Sequence, residues 1–171
     1  ANTNSGSLYT TVVGTDSVIS SSEVKYSGIV NVQGATATVV GSENTVDNKN
    51  DKVYSGVANN VMGSANTIEG SNGVTIQGTG NKVTGAYKDM GITLGEAYSI
   101  YKGNYSALAK KQSGAVAVVG GANTVSKQTD STVIGFGNQL TSDKEEGSQN
   151  VFMAGSHNGL KNVSDSIVMG N

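Results

Sequence analysis

One phrase recurs along this chain: two apolar residues, a glycine, two variable positions, usually an asparagine, one more variable position and an aliphatic. It reads Val39-Val40-Gly41-Ser42-Glu43-Asn44-Thr45-Val46, then Val61-Met62-Gly63-Ser64-Ala65-Asn66-Thr67-Ile68, then Val118-Val119-Gly120-Gly121-Ala122-Asn123-Thr124-Val125. The glycines of the series are Gly14, Gly34, Gly41, Gly63, Gly78, Gly95, Gly120, Gly135, Gly155 and Gly170, and three neighbouring pairs lie 15 residues apart. A short fixed period means stacked repeats, each contacting its neighbours, in place of an irregular globular core.

Composition narrows the alternatives. With 24 glycines, no proline, tryptophan or cysteine, and 5% aromatic residues, the chain lacks the bulky side chains that fill a large core and must gain order from regular stacking. The net charge of -2, with 11 basic residues and 13 acidic ones spread along the sequence, offers no basic face for phosphate backbones, so nucleic-acid binding is not expected. Absence of cysteine rules out a disulfide framework. The start, Ala1-Asn2-Thr3-Asn4-Ser5-Gly6, has neither the charge nor the apolar run of a signal peptide, and no segment of the chain is apolar over a membrane-spanning length. The reading is a single domain over residues 1–171 without direct membrane insertion.

Counted from each glycine as zero, position -2 is aliphatic or Met in nine of ten repeats and position -1 is apolar in eight. Consecutive residues of a strand point to opposite faces, so this short, β-branched run predicts a strand with both faces covered. Position +5 is apolar throughout (Ile19, Val39, Val46, Ile68, Val83, Ile100, Val125, Leu140, Leu160), which predicts a second short strand after each glycine. Asn at +3 in six repeats, and a second turn former at about +7, supply the two bends, with φ > 0 expected near the glycine. The fold class expected is therefore all-β: a flattened parallel β-roll of about ten coils, a rod of roughly 45 to 50 Å at the ~4.8 Å spacing between strands. The -2 and +5 rows point inward. The -1 row, Val13, Val40, Met62, Leu94, Val119, Ile134 and Met169, is left outside as an apolar stripe, which reads as an oligomer interface.

These residues resemble the trimeric autotransporter adhesins, and within them the YadA-type head, whose repeats have the form V-x-x-G-x-x-N/S-x-V/I. The match runs from Val12 to Gly170, with spacing between the glycines less regular than the family's. The resemblance implies a left-handed parallel β-roll, assembly as a homotrimer, and a bacterial cell-surface adhesin head that attaches to host cells, extracellular matrix or other microbes. It implies outer-membrane attachment through a C-terminal stalk and anchor that this sequence does not contain, so the chain is read as a fragment. The partners so implied are a host surface or matrix protein, a glycan, or a receptor on a partner bacterium.

Residues beyond the regular coils fall at about Ser20 to Lys25, Asp47 to Ala58, Ala86 to Gly91, Lys102 to Gly114, Ser126 to Asp130 and Ser142 to Asn150. Regular coils are dictated by stacking, so partner recognition is expected in these insertions. The richest holds Tyr98, Tyr101, Lys102, Tyr105, Lys110 and Lys111, a concentration of rigid amphipathic rings beside cations that suits a glycan or protein contact. Catalysis has little to work with: the single His157 lies in a turn, no serine has an elbow context, and the repeat accounts for the glycines of Gly78-Thr79-Gly80-Asn81-Lys82 that mimic a phosphate loop. Asp47-Asn48-Lys49-Asn50-Asp51 begins like a calcium loop but lacks its glycine and late glutamate, and Asp143-Lys144-Glu145-Glu146 reads as a solvated acidic loop. No enzyme, metal or cofactor is expected. The competing readings are a β-helical enzyme, acting on polysaccharide or as an acyltransferase, and a non-adhesive structural spacer. Hexapeptide periodicity is missing for the acyltransferase, and ranked Thr-x-Thr motifs are missing for an ice-binding roll.

Overall fold

The computed structural model describes residues 1–7, 9–21, 34, 36–48, 56–89, 91–104 and 114–171. In chain order its elements are β1 (Thr3–Ser5), β2 (Thr11–Thr15), β3 (Val18–Ser20), β4 (Thr38–Ser42), β5 (Thr45–Asp47), β6 (Asn60–Ser64), β7 (Thr67–Glu69), β8 (Val74–Thr79), β9 (Lys82–Thr84), α1 (Leu94–Tyr101), β10 (Val116–Gly121), β11 (Thr124–Ser126), β12 (Gln128–Thr129), β13 (Ser131–Phe136), β14 (Gln139–Thr141), β15 (Ser148–Gln149), β16 (Val151–Ser156), β17 (Gly159–Lys161) and β18 (Ser166–Gly170). The chain alternates between two parallel sheets. One runs β2-β4-β6-β8-β10-β13-β16-β18, the other β1-β3-β5-β7-β9-β11-β14-β17, and a two-stranded pair, β12-β15, lies beside them. Seven steps of ~4.8 Å make each sheet about 34 Å deep along the stack.

Register shows why the phrase repeats. Gly14, Gly41, Gly63, Gly78, Gly120, Gly135, Gly155 and Gly170 stand opposite one another from strand to strand in the first sheet. The -2 row (Val39, Val61, Ile76, Val118, Val133, Met153) points inward, meets the +5 row (Ile19, Val46, Ile68, Val83, Val125, Leu140) of the second sheet, and both are buried in one continuous core. A further inward row from the first sheet, including Ala37, Val74, Val116 and Val151, completes that core. The expected inward rows are thus observed, except at the Gly34 and Gly95 repeats.

Two of the ten expected coils are not coils. Thr93-Leu94-Gly95 fits the phrase, yet Leu94 and Gly95 open α1, with Thr93 as N-cap. The Thr93 hydroxyl accepts from the Glu96 N–H while the Glu96 carboxylate accepts from the Thr93 N–H, a capping box that two of the helix's free N–H groups require. Ala97 and Ile100, one turn apart on the helix, are buried, so Ile100 is covered without being a +5 strand residue. A helix here corrects the all-β expectation, which made this stretch one more coil of the roll. Gly34 has φ of 66°, against 123° to 138° in the register glycines, and β2 pairs directly with β4, so no coil intervenes there. Val32 and Gln33 lie outside the described residues.

The bend after each register glycine is fixed by side-chain amides. Asn44, Asn66, Asn81, Asn123, Asn138 and Asn158 each donate Nδ2–H to the glycine carbonyl of the following coil (Gly63, Gly78, Gly120, Gly135, Gly155 and Gly170) at 2.7 to 2.9 Å. Each Oδ1 from Asn44 to Asn138 accepts both the main-chain N–H and the Nδ2–H of the next asparagine at 2.9 to 3.1 Å. At the start Ser17 and Asn2 take the same place, Asn2 Nδ2 donating to the Gly14 carbonyl at 2.8 Å. Carbonyls of successive glycines must therefore come close. At Gly135, φ 126°, an added Cβ would lie 1.7 Å from the Gly155 carbonyl oxygen. Two residues on, the bend needs a left-handed residue, supplied by Glu43, Ala65, Ala122 and His157 at φ of 54° to 57°.

Gly135→Ala should accordingly cost roughly 3 kcal/mol or more, because the clash is with backbone and the φ is forbidden to a side chain. Asn138→Ala should cost a similar ~3 kcal/mol by removing the donor to the Gly155 carbonyl, one of the two donors to Asn123 Oδ1 and the acceptor of both the Asn158 main-chain N–H and its Nδ2–H. Ala122→Gly should instead add about 0.5 to 1 kcal/mol by relieving a left-handed alanine. Urea unfolding midpoints of the three variants test this pattern of signs.

Candidate adhesive and assembly surfaces

The two sheets present unlike outer faces. On the second sheet the outward residues include Thr45, Asp47, Thr67, Glu69, Lys82 and Thr84, with Lys82 and Glu69 paired at 3.1 Å across adjacent strands. Such a face is content in water. On the first sheet the -1 row is mostly apolar, and its exposed apolar members range from 39% at Val119 and Ile134 to 75% at Met169. Val13 and Met62 are similarly exposed and Val40 is half-buried, while Gln77 and Ala154 interrupt the row. A depression of about 120 Å³ lies on this face, between Val40, Met62 and Gln77 and their neighbours Thr38, Asn60 and Thr75. Leu94, expected in the row, is exposed at the first turn of α1 and is no part of the sheet.

Sequence reasoning missed the widening of this face at one end. Phe152 and Ile167 stand in register at -3, and Phe136 stands at +1, all three outward and exposed. Together with Ile134 and Met169 they turn a stripe into a patch over the last three strands. The signal was present, since residues at odd offsets from the glycine share a face, but attention to -1 alone left the flanking rows unread. His157 sits edge-on to Phe136, their ring centroids 5.7 Å apart.

The extra residues fall between a second-sheet strand and the first-sheet strand that follows it in the chain. From one +3 position to the next the chain takes 27, 22, 15, 42, 15 and 20 residues, yet the span from glycine to asparagine never changes. The amide contacts forbid extra residues on their side. The opposite edge has no such constraint and carries α1 and the β12-β15 pair.

Among the expected contact residues, Tyr98 is 45% exposed on α1 and the Lys102 ammonium lies 4.5 Å from its ring centroid, a cation-π pair at the helix C-terminus. Tyr101 ends α1. Tyr105, Lys110 and Lys111 lie outside the described residues. At the same edge a polar groove of about 270 Å³, bordered by Lys144, Glu146, Gln149 and Ser164, adjoins one of about 170 Å³ at Tyr87, Lys127 and Glu145. The Lys161 ammonium, 2.9 Å from Asp143, and the Asn162 amide hold the Asp143 carboxyl below its usual range. Among the described residues no three His, Cys, Asp or Glu side chains converge to hold a metal ion, and no helix is long and apolar enough to cross a membrane. The phosphate-loop mimic is two strands and a bend, its Asn81 amide committed to Gly120 and Asn66.

No protein family, no curated protein and no solved structure matches this chain.

Adjacent valines give a test of the two faces. Val118→Lys buries an unpaired ammonium in the core and should cost about 4 kcal/mol or unfold the chain whatever the protein concentration, whereas Val119→Lys on the outer face leaves the core of the roll intact and should lower stability less, and only as far as assembly is lost. Equal losses of thermal stability would mean the strand is turned differently.

Proposed function

We propose that this chain is the head of a bacterial cell-surface adhesin, a rigid homotrimeric rod of left-handed parallel β-rolls that displays its insertions to a host surface, matrix protein, glycan or neighbouring bacterium. The observation that carries the reading is the apolar outer face of the first sheet. A row of Val, Met and Ile running the depth of a thin roll is larger than a soluble monomer leaves in water, and identical copies packing around a common axis bury it without needing a second kind of chain. The polar face of the second sheet and the insertion edge then point outward. Three copies of every insertion at one level of the rod raise weak contacts by avidity.

Folding and assembly are coupled in this reading, since the outer face has no other cover. Light scattering of the 171-residue chain should give a trimer, and Val119→Lys or Ile134→Lys should yield a smaller species. A stable folded monomer at micromolar concentration would sink the assembly. For the adhesive step, deletion of Lys102 to Ser113 with flanking coils kept in register should leave the oligomer intact and reduce attachment to cells or matrix. Undiminished attachment moves recognition to another insertion or a strand face, and a parent chain that attaches to nothing makes the rod a spacer.

A further inference from the structure

The coil from Gly135 to Gly155 spans 20 residues, and its surplus does not hang loose. The Asp143 N–H donates to Asn162 Oδ1 at 2.9 Å, the Lys144 N–H to Ser142 Oγ at 3.2 Å and the Gly147 N–H back to the Lys144 carbonyl at 3.2 Å. Asp143 also pairs with Lys161. Residues 143–147 therefore form a clamped turn, beside which β12 and β15 lie in parallel register with Thr129 opposite Gln149. The grooves of about 270 and 170 Å³ border this turn and share Thr129, Glu146 and Gly147. They are two lobes of one cleft, and together they reach the range of roughly 300 to 1,000 Å³ in which small ligands are held.

The main chain along this cleft is already engaged. The Lys127 and Thr129 carbonyls accept from the Ser148 and Asn150 N–H groups at 3.0 and 3.2 Å, the Gln149 carbonyl accepts from the Asp165 N–H at 3.1 Å, and the Gln149 N–H donates to Ser164 Oγ at 3.2 Å. A peptide adding here as a further strand would find these groups taken, so recognition falls to side chains. The side chains are uncommitted. Lys82 pairs with Glu69 and Lys161 with Asp143, whereas among the described residues no ion pair engages Lys127, Lys144, Glu145 or Glu146. Two ammonium groups and two carboxylates balance, so the cleft has no net charge with which to draw an anion or a cation. It offers mixed donors and acceptors instead, from those four groups, the Gln149 amide and the Thr129 hydroxyl, and Tyr87 stands in the smaller lobe.

We propose that this cleft binds a short neutral oligosaccharide. Neighbouring hydroxyls of a sugar each donate and accept, so a carboxylate can take two O–H donors while an ammonium or amide N–H reaches hydroxyl oxygens. The C–H face of a pyranose packs on a phenol ring, the part that Tyr87 plays. A sialylated or sulfated glycan would set its own anion against Glu145 and Glu146 and gains nothing from a lining of balanced charge. The clamped turn holds these groups in place before a ligand arrives, which lowers the ordering cost of binding. The proposal rests on the adhesive reading, to which it gives a ligand class and a place apart from the Tyr98 to Lys111 segment.

The folded 171-residue chain would be applied to a printed array of neutral, sialylated and sulfated oligosaccharides, and the strongest neutral binder then titrated in solution. Binding should favour the neutral members. Tyr87→Ala and Glu146→Gln should each weaken it about ten-fold or more, while Glu69→Gln, on the outer face of the second sheet, should leave it unchanged. Glu146→Gln keeps the side chain's size at an exposed position, so it reports on binding where Tyr87→Ala disturbs the fold. Binding to no member of the array, a preference for sialylated or sulfated members, or binding indifferent to Glu146→Gln and to a folded Tyr87→Ala would overturn the proposal. With no sugar bound, attachment of the same chain to cells or matrix would leave the adhesive reading standing, and attachment to neither would remove both.

Discussion

The contact on which this structure rests is the asparagine amide between one coil and the next. Each rung of the ladder takes two donors on its oxygen and offers two hydrogens, so a buried polar group is fully paired at a point where the backbone turns and could not pair itself. The arrangement also dictates the glycine. An amide that reaches the next coil's glycine carbonyl pulls the two backbones so close that no Cβ fits between them. Asparagine and glycine are thus one device, three residues apart, and the aliphatic rows on either side hold their register because the device does.

Thinness follows from the same geometry. Two sheets enclose a single shared layer of Val, Ile, Leu and Met, and each coil touches only those above and below it. Stability in such a stack is a sum of nearest-neighbour terms, so interior coils gain from two neighbours and edge coils from one.

Much of this was legible in the residues. The -2 and +5 rows, the outward -1 row and the special backbone at the glycine could be read because a strand alternates with period two and because only glycine recurs where backbones crowd. Thr93-Leu94-Gly95 misled because three letters satisfy two local codes, and the deciding Glu96 acts through a capping box that a count of apolar positions does not see. Gly34 misled because a glycine that turns a loop looks, in sequence, like one that stacks. The asparagine was read as a turn former. Its larger part is played with a neighbour up to 42 residues away, a partnership that no local pattern encodes.

Confining all variation to one edge has a consequence for how the molecule measures distance. A coil of 15 residues and one of 42 both advance the stack by a single strand spacing, since the amide contact sets the step and the surplus chain leaves sideways. Height therefore counts rungs and is indifferent to chain length, like a ruler whose marks stay fixed while its labels grow. Insertions can be lengthened, exchanged or lost at a chosen mark without lifting or lowering any other, and the level at which a surface feature is held is set by the number of asparagines beneath it.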